Sequence, residues 1–142
     1  MKISTRGRYA LRLMLDLALY GGDGPVALGE ISRRQEISEK YLEQLTPALS
    51  KAGLLRSVRG AGGGYLLTRA PAEYTVGEIL RTQEGDLAPV ACAGAEGSCG
   101  RAQRCATVEL WRKVREAVDG VVDAVTLQDL VDDHRAKCPE ER

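Results

Sequence analysis

Residues 38–69, SEKYLEQLTPALSKAGLLRSVRGAGGGYLLTR, change their apolar period partway along, and no single element can satisfy both halves. The first half places Tyr41, Leu42, Leu45, Leu49 and Ala52 at three- and four-residue spacing, which is one face of a helix. Ser38 stands where an N-cap is needed, Glu39 puts an acid in the first turn, and Gly53 ends the run. Pro47 falls inside this helix and predicts a bend or a lost hydrogen bond. From Leu54 to Val58 the pattern alternates, a glycine-rich stretch follows, and Tyr65 to Thr68 is again strand-like. A helix that runs into a β-hairpin with a pliable tip is therefore expected.

Ahead of it, VALGEISRRQEIS predicts a short helix from Leu28 to Gln35, with Ile31 inward and Arg33 and Arg34 outward. The brief break before Ser38 makes the pair a helix-turn-helix candidate. Tyr9 to Tyr20 predicts a mostly buried helix closed by Gly21, Gly22 and Gly24 before Pro25. Helix, helix-turn-helix and hairpin in that order describe a winged helix. Tyr74–Gly85 adds one more short helix. Beyond it, Trp111, Val114, Val118, Val121, Val122 and Val125 form a stripe on a long, otherwise charged helix, expected to be a dimerisation helix. Thr126 caps a last short helix to Arg135, followed by a tail expected to be mobile. The chain has no Phe and one Trp, and an aliphatic core of this kind suits helices packed on helices.

The expected fold class is thus mostly α with a small β-hairpin wing: a winged helix-turn-helix DNA-binding domain plus a long dimerisation helix. Its parts are a DNA-binding domain over 1–85, a cysteine-rich loop over 86–105, the dimerisation helix over 106–125, and a short C-terminal helix and tail over 126–142.

The net charge of zero conceals an asymmetry. Residues 1–70 carry eleven Lys or Arg against six Asp or Glu, whereas residues 71–142 carry nine against fourteen. Only the first half is suited to meet a polyanion. The exposed N-terminal positions of the second helix of the motif are Lys40, Glu43 and Gln44, with Lys51 further along. Gln44 can pair with an adenine edge and Glu43 can accept from a cytosine amino group, while Lys40 and Lys51 suit phosphates. GAGGGY, residues 60–65, lacks the GK[ST] of a phosphate loop and leads into a strand, so it reads as a wing. Gly62 and Gly63 let its backbone press close to a sugar–phosphate surface, and Arg59 at its base can enter a minor groove. Arg33 and Arg34 complete the candidate DNA surface. No nucleophile elbow or carboxylate pair stands out, and the chain is not expected to be an enzyme.

Three of the four cysteines fall in CAGAEGSCGRAQRC, spaced Cys92-x6-Cys99-x5-Cys105. That spacing is wider than a zinc knuckle, and a cytosolic thiol pair is seldom a disulfide. A glycine-rich loop with loosely spaced thiolates suits an iron–sulfur cluster, with zinc, a thiol switch and inert cysteines as the other readings. No signal peptide and no membrane span is expected, which points to the cytoplasm.

MKISTRGRYALRLMLDLAL, ISEKYLEQL, SVRGAGGGYLL and a three-cysteine segment ahead of LW follow one another over residues 1–133. In that order they resemble the IscR-type iron–sulfur cluster transcriptional regulators, in the winged-helix superfamily that also includes the nitric-oxide sensor NsrR. The resemblance implies a homodimeric regulator, a repressor of cluster-assembly genes, that binds a palindromic operator in double-stranded DNA. It also implies a [2Fe–2S] cluster on Cys92, Cys99 and Cys105, with [4Fe–4S] as the alternative. Lys40, Glu43 and Gln44 then fall on base-facing positions and Arg59 on the minor-groove arginine. Rivals with the same fold are a thiol or zinc redox switch and a nitric-oxide-responsive regulator; a cluster scaffold that does not bind DNA is a third. In the IscR pattern C-x2-H supplies the fourth ligand, but here the run is CATVELW and Val108 takes the histidine position. Arg8 likewise stands where NsrR-type proteins carry an acid. The fourth ligand is left to Cys138, His134, Glu109, a residue of a second subunit, or an exogenous thiol.

Overall fold

Ser4 opens the first helix and is itself held in place. Its hydroxyl accepts the Gly7 N–H at 3.3 Å, while its own N–H donates to Glu84 Oε1 at 2.9 Å. Helix α1 therefore spans Thr5–Tyr20 and begins ahead of the Tyr9 at which the apolar run starts. The structure, a computed structural model, describes residues 2–94 and 99–141. Helix α2 is Leu28–Gln35 and α3 is Glu39–Lys51, with Ser38 Oγ accepting the Tyr41 N–H at 3.1 Å as the cap position predicts. Between them Glu36 sits in the left-handed region at φ 55°, which makes the tight turn of the helix-turn-helix.

Strands β1, Leu55–Val58, and β2, Gly64–Leu67, pair antiparallel with Leu55 opposite Leu67 and Val58 opposite Gly64. The wing has a third edge that periodicity does not reveal. Val26 donates to the Tyr65 carbonyl at 3.0 Å and accepts from the Tyr65 N–H at 2.9 Å. Gly64 permits this contact: its φ is +156°, and a Cβ there would lie 2.3 Å from the Val26 carbonyl oxygen.

Helix α4 is Val76–Glu84, α5 is Val108–Ala124 and α6 is Leu127–Lys137. Leu13 and Met14 of α1 meet Ile31 of α2, Leu42, Leu45 and Leu49 of α3, Ile79 of α4 and Leu127 of α6 in one aliphatic core. Tyr74 is wholly buried at its edge, and its hydroxyl donates to the Leu54 carbonyl at 2.9 Å. The same hydroxyl accepts from the N–H groups of Thr68 at 2.8 Å and Arg69 at 3.0 Å, which ties the wing base to the start of α4. Nearby, Val76 N–H donates to Val125 O at 2.9 Å and Leu127 N–H to Tyr74 O at 3.0 Å, so the start of α4 is clasped to the α5–α6 junction.

Two expectations are amended. The stripe on α5 is divided: Val118, Val122 and Val125 pack on Val76, Leu80 and Leu87, while Val121 is 65% exposed. The tail expected to be mobile is partly ordered. Helix α6 runs past Arg135 to Lys137, Cys138 N–H donates to His134 O at 2.8 Å, and a 3₁₀ turn covers Pro139–Glu141.

Candidate nucleic-acid interface and cysteine segment

Burial of Leu42, Leu45 and Leu49 against the core fixes which side of α3 is left outward. That side presents Lys40, Glu43, Gln44 and Lys51, all exposed, and Arg33 is exposed on α2. Arg59 is exposed just past β1. Gly62 lies at the exposed tip with φ +74°, and Gly63 N–H closes the turn on Gly60 O at 3.0 Å. Among the described residues none of Arg33, Lys40, Lys51 and Arg59 takes part in an ion pair. Their charge faces outward, undiminished by internal partners.

Arg34 is different. Expected outward beside Arg33, it turns in to the carboxylate of Asp16, which is fully buried in α1. Arg34 Nη2 donates to Asp16 Oδ1 at 2.7 Å and Nε to Oδ2 at 3.0 Å, with Gln35 Nε2 adding a third bond at 3.0 Å. Burying a carboxylate is costly unless it is paired and hydrogen-bonded, as it is here. The Asp16 hydrogen bond in turn raises the Arg34 guanidinium above its ordinary value. Arg34 also lies 4.3 Å over the Tyr20 ring. The signal for this clamp was present in the sequence as a lone acid in an apolar helix. Arg69, which flanks the wing in sequence, is likewise engaged, bidentate with Glu78 at 2.7 and 3.1 Å.

The cysteine segment is held at its two described ends. Cys92 sits in a 3₁₀ turn, Ala91–Ala93, and lines a hollow of about 290 Å³ with Arg112 and Arg115 of α5. Arg115 Nη1 donates to the Ala93 carbonyl at 3.1 Å, while Arg115 also approaches Asp119 at 3.5 Å and Asp86 at 3.7 Å. Asp119 pairs in turn with Arg81 of α4 at 2.7 Å, and Asp123 joins Arg81 at 2.6 Å. A ladder of charge thus runs from the first cysteine's turn through α5 to α4. The Arg81 hydrogen bond holds the Asp123 carboxyl below its usual value.

Cys105 lines a separate hollow of about 570 Å³ with Arg101 and Arg104. Its sulfur is 3.2 Å from Thr107 Oγ1, and that hydroxyl, with the backbone of Thr107 and Val108, lowers the thiol below its ordinary value. Cys92, Cys99 and Cys105 are free and half-buried. Among the described residues no three His, Cys, Asp or Glu side chains stand where one metal ion could join them. The linking residues 95–98 lie outside the described set. Of the candidates for a fourth ligand, Glu109 is paired with Arg112, and Cys138 and His134 adjoin at the end of α6. Val108 is a buried apolar residue, 2% exposed. In chemistry the donor set suits a thiolate-held group: three free sulfurs, with hydroxyl and backbone donors already directed at one of them.

No helix among the described residues is long and apolar enough to cross a membrane. The Rrf2 family, described as an iron-dependent transcriptional regulator, matches residues 3–133. The chain is 45% identical over 131 residues to the HTH-type transcriptional regulator IscR of Serratia proteamaculans, covering 92% of this chain and 79% of that one. Its fold matches the structure of CymR, the global cysteine regulator of B. subtilis, with a TM-score of 0.76 and 44% identity over 93% of this chain and 97% of that one. It matches T. potens IscR equally, with a TM-score of 0.76 and 43% identity, covering 94% and 88% of the two chains.

Proposed function

The chain belongs to the Rrf2 family and is a DNA-binding transcriptional regulator, and from that premise we propose that it is a dimeric, cytoplasmic repressor that reports iron–sulfur cluster status. The observation that carries this reading is the free thiol set on a segment tied to α5 beside its first cysteine, with the Thr107 hydroxyl set against the Cys105 sulfur. Cys92, Cys99 and Cys105 would hold the cluster, [2Fe–2S] in the first instance and [4Fe–4S] in the alternative. Bound there, a cluster supplies a redox-labile, oxygen- and nitric-oxide-sensitive reporter of iron supply. The protein's own part is to bind and read DNA. Lys40, Lys51 and Arg33 position the backbone, Glu43 and Gln44 read base edges in the major groove, and Arg59 enters the minor groove while Gly62 and Gly63 let the wing approach closely. Arg34 braces α2 against α1 instead of meeting phosphate. The ladder Ala93–Arg115–Asp119–Arg81 supports coupling, since rearranging the cysteine segment would disturb α4.

Dimerisation falls to the open side of α5. Val114, Ala117 and Val121, beside Val118 and Val122, border an apolar hollow of about 410 Å³ on the surface. A two-fold dimer presents two copies of α3 and therefore calls for a palindromic operator.

A second reading, a thiol switch on the same cysteines, is favoured by the apolar Val108 and by the likeness to CymR. Iron and sulfide analysis with visible spectroscopy on anaerobically purified protein separates the two. Near-stoichiometric iron and sulfide with charge-transfer absorption supports the cluster. Their absence, also after anaerobic reconstitution, leaves the thiol switch. Repeating the measurement on Cys138→Ala and His134→Ala locates the fourth ligand.

A further inference from the structure

Pro47 has no N–H, so the Glu43 carbonyl in α3 lacks the helical donor four residues on. Three consecutive carbonyls at this break take donors from outside the helical ladder. Thr46 Oγ1 reaches Glu43 O at 3.4 Å, Arg6 Nη2 donates to Gln44 O at 3.1 Å, and Gln83 Nε2 donates to Leu45 O at 3.1 Å. The second and third come from other elements, Arg6 from the first turn of α1 and Gln83 from the last turn of α4. They also hold each other, since Arg6 Nη2 donates to Gln83 Oε1 at 3.1 Å. A proline-broken helix has a soft point at which its axis can turn, and side chains that bond its freed or crowded carbonyls set that angle. The two residues so gripped from outside lie at, and directly after, the exposed Gln44.

We infer that Arg6 and Gln83 are positioning residues for DNA readout: they brace α3 at its proline break and so set the direction in which Gln44 meets a base edge. The inference rests on the reading of α3 as the recognition helix. Neither residue needs to touch DNA, because each acts on the backbone that carries the reading side chain. Their substitution should therefore degrade sequence preference while leaving general affinity and folding largely intact.

The test uses an operator selected by the full-length protein from a pool of random duplexes. Affinities for that operator, its single base-pair variants and unrelated DNA are then compared at one salt concentration. Gln83→Glu keeps the acceptor for Arg6 and the size of the side chain but replaces the donor to Leu45 with an oxygen. Gln83→Met removes the donor without adding charge. Both should lower discrimination at one base pair by about tenfold, the scale of a single readout contact. Affinity for unrelated DNA and the urea midpoint should change little. In a Pro47→Ala background the ladder donor returns, so Gln83→Met should cost less there than in the parent, a non-additivity that a double-mutant cycle measures. Unchanged preference in both Gln83 variants, loss spread equally over all DNA, or strict additivity with Pro47→Ala would each overturn the brace. If the Gln83 variants lose preference at a base pair that Gln44→Ala leaves untouched, the brace stands and the assignment of Gln44 falls.

Discussion

The Tyr74 hydroxyl gathers three backbone groups, two N–H donors and one carbonyl, at the end of a ring that is itself wholly buried. Phenylalanine would keep the ring and leave the buried Leu54 carbonyl without its donor, so Tyr74→Phe should destabilise the fold by about 1–3 kcal/mol, the range for buried polar groups left without partners. Urea denaturation of the two proteins reads the difference directly. Single residues of this kind were unevenly legible. Asp16 stood in the sequence as a lone acid among leucines, yet its partner Arg34 was expected to face outward, because nothing in the sequence says which distant cation turns in to meet it. Tyr74 gave no such sign, because one aromatic near a helix start reads equally well as surface or core. Nor did Gln83, whose partners Leu45 and Arg6 lie 38 and 77 residues away in sequence.

Elements were far more legible than their neighbours. The period and cap of α3 and the Thr126 cap of α6 fall where the residue pattern puts them, Thr126 Oγ1 accepting the Asp129 N–H at 3.1 Å. The Val26 bridge did not show, since a single pair of hydrogen bonds leaves no alternation to read. Periodicity also marks an apolar face without saying what covers it, which is why the stripe of α5 divides between α4 and the surface. Val121→Glu adds a charge to the open side, so it should shift a dimer to monomer in light scattering while sparing the fold. The α4–α5 tie has a defined pH response. Asp123 is depressed by Arg81, so its contribution is complete above the ordinary Asp value of about 3.9 and is lost as pH falls through the lower, folded value. Stability measured toward strongly acidic pH should therefore fall in wild type, and Arg81→Met should flatten that limb.

At the scale of the molecule the charge asymmetry becomes a surface. The cations of the first half at Arg33, Lys40, Lys51 and Arg59 are left unpaired among the described residues, whereas Arg81, Arg112 and Arg115 in the acidic half are all matched internally. Affinity for DNA should fall steeply with salt, and Lys51→Ala or Arg33→Ala should each reduce the log–log slope by about one. Alanine substitution of Arg112, paired with Glu109, should leave that slope unchanged. Charge by halves was visible in the sequence, but which cations are free was not, because that depends on contacts between distant elements. The clasp of Val76 to Val125 carries one more consequence. Everything between those residues, the cysteine segment included, is a closed circuit whose two ends meet at that joint. A circuit of that kind can be rewired inside without moving its terminals, so sensor segments of other lengths and other ligand sets could be exchanged in the same chassis while the wing and α6 stay where they are.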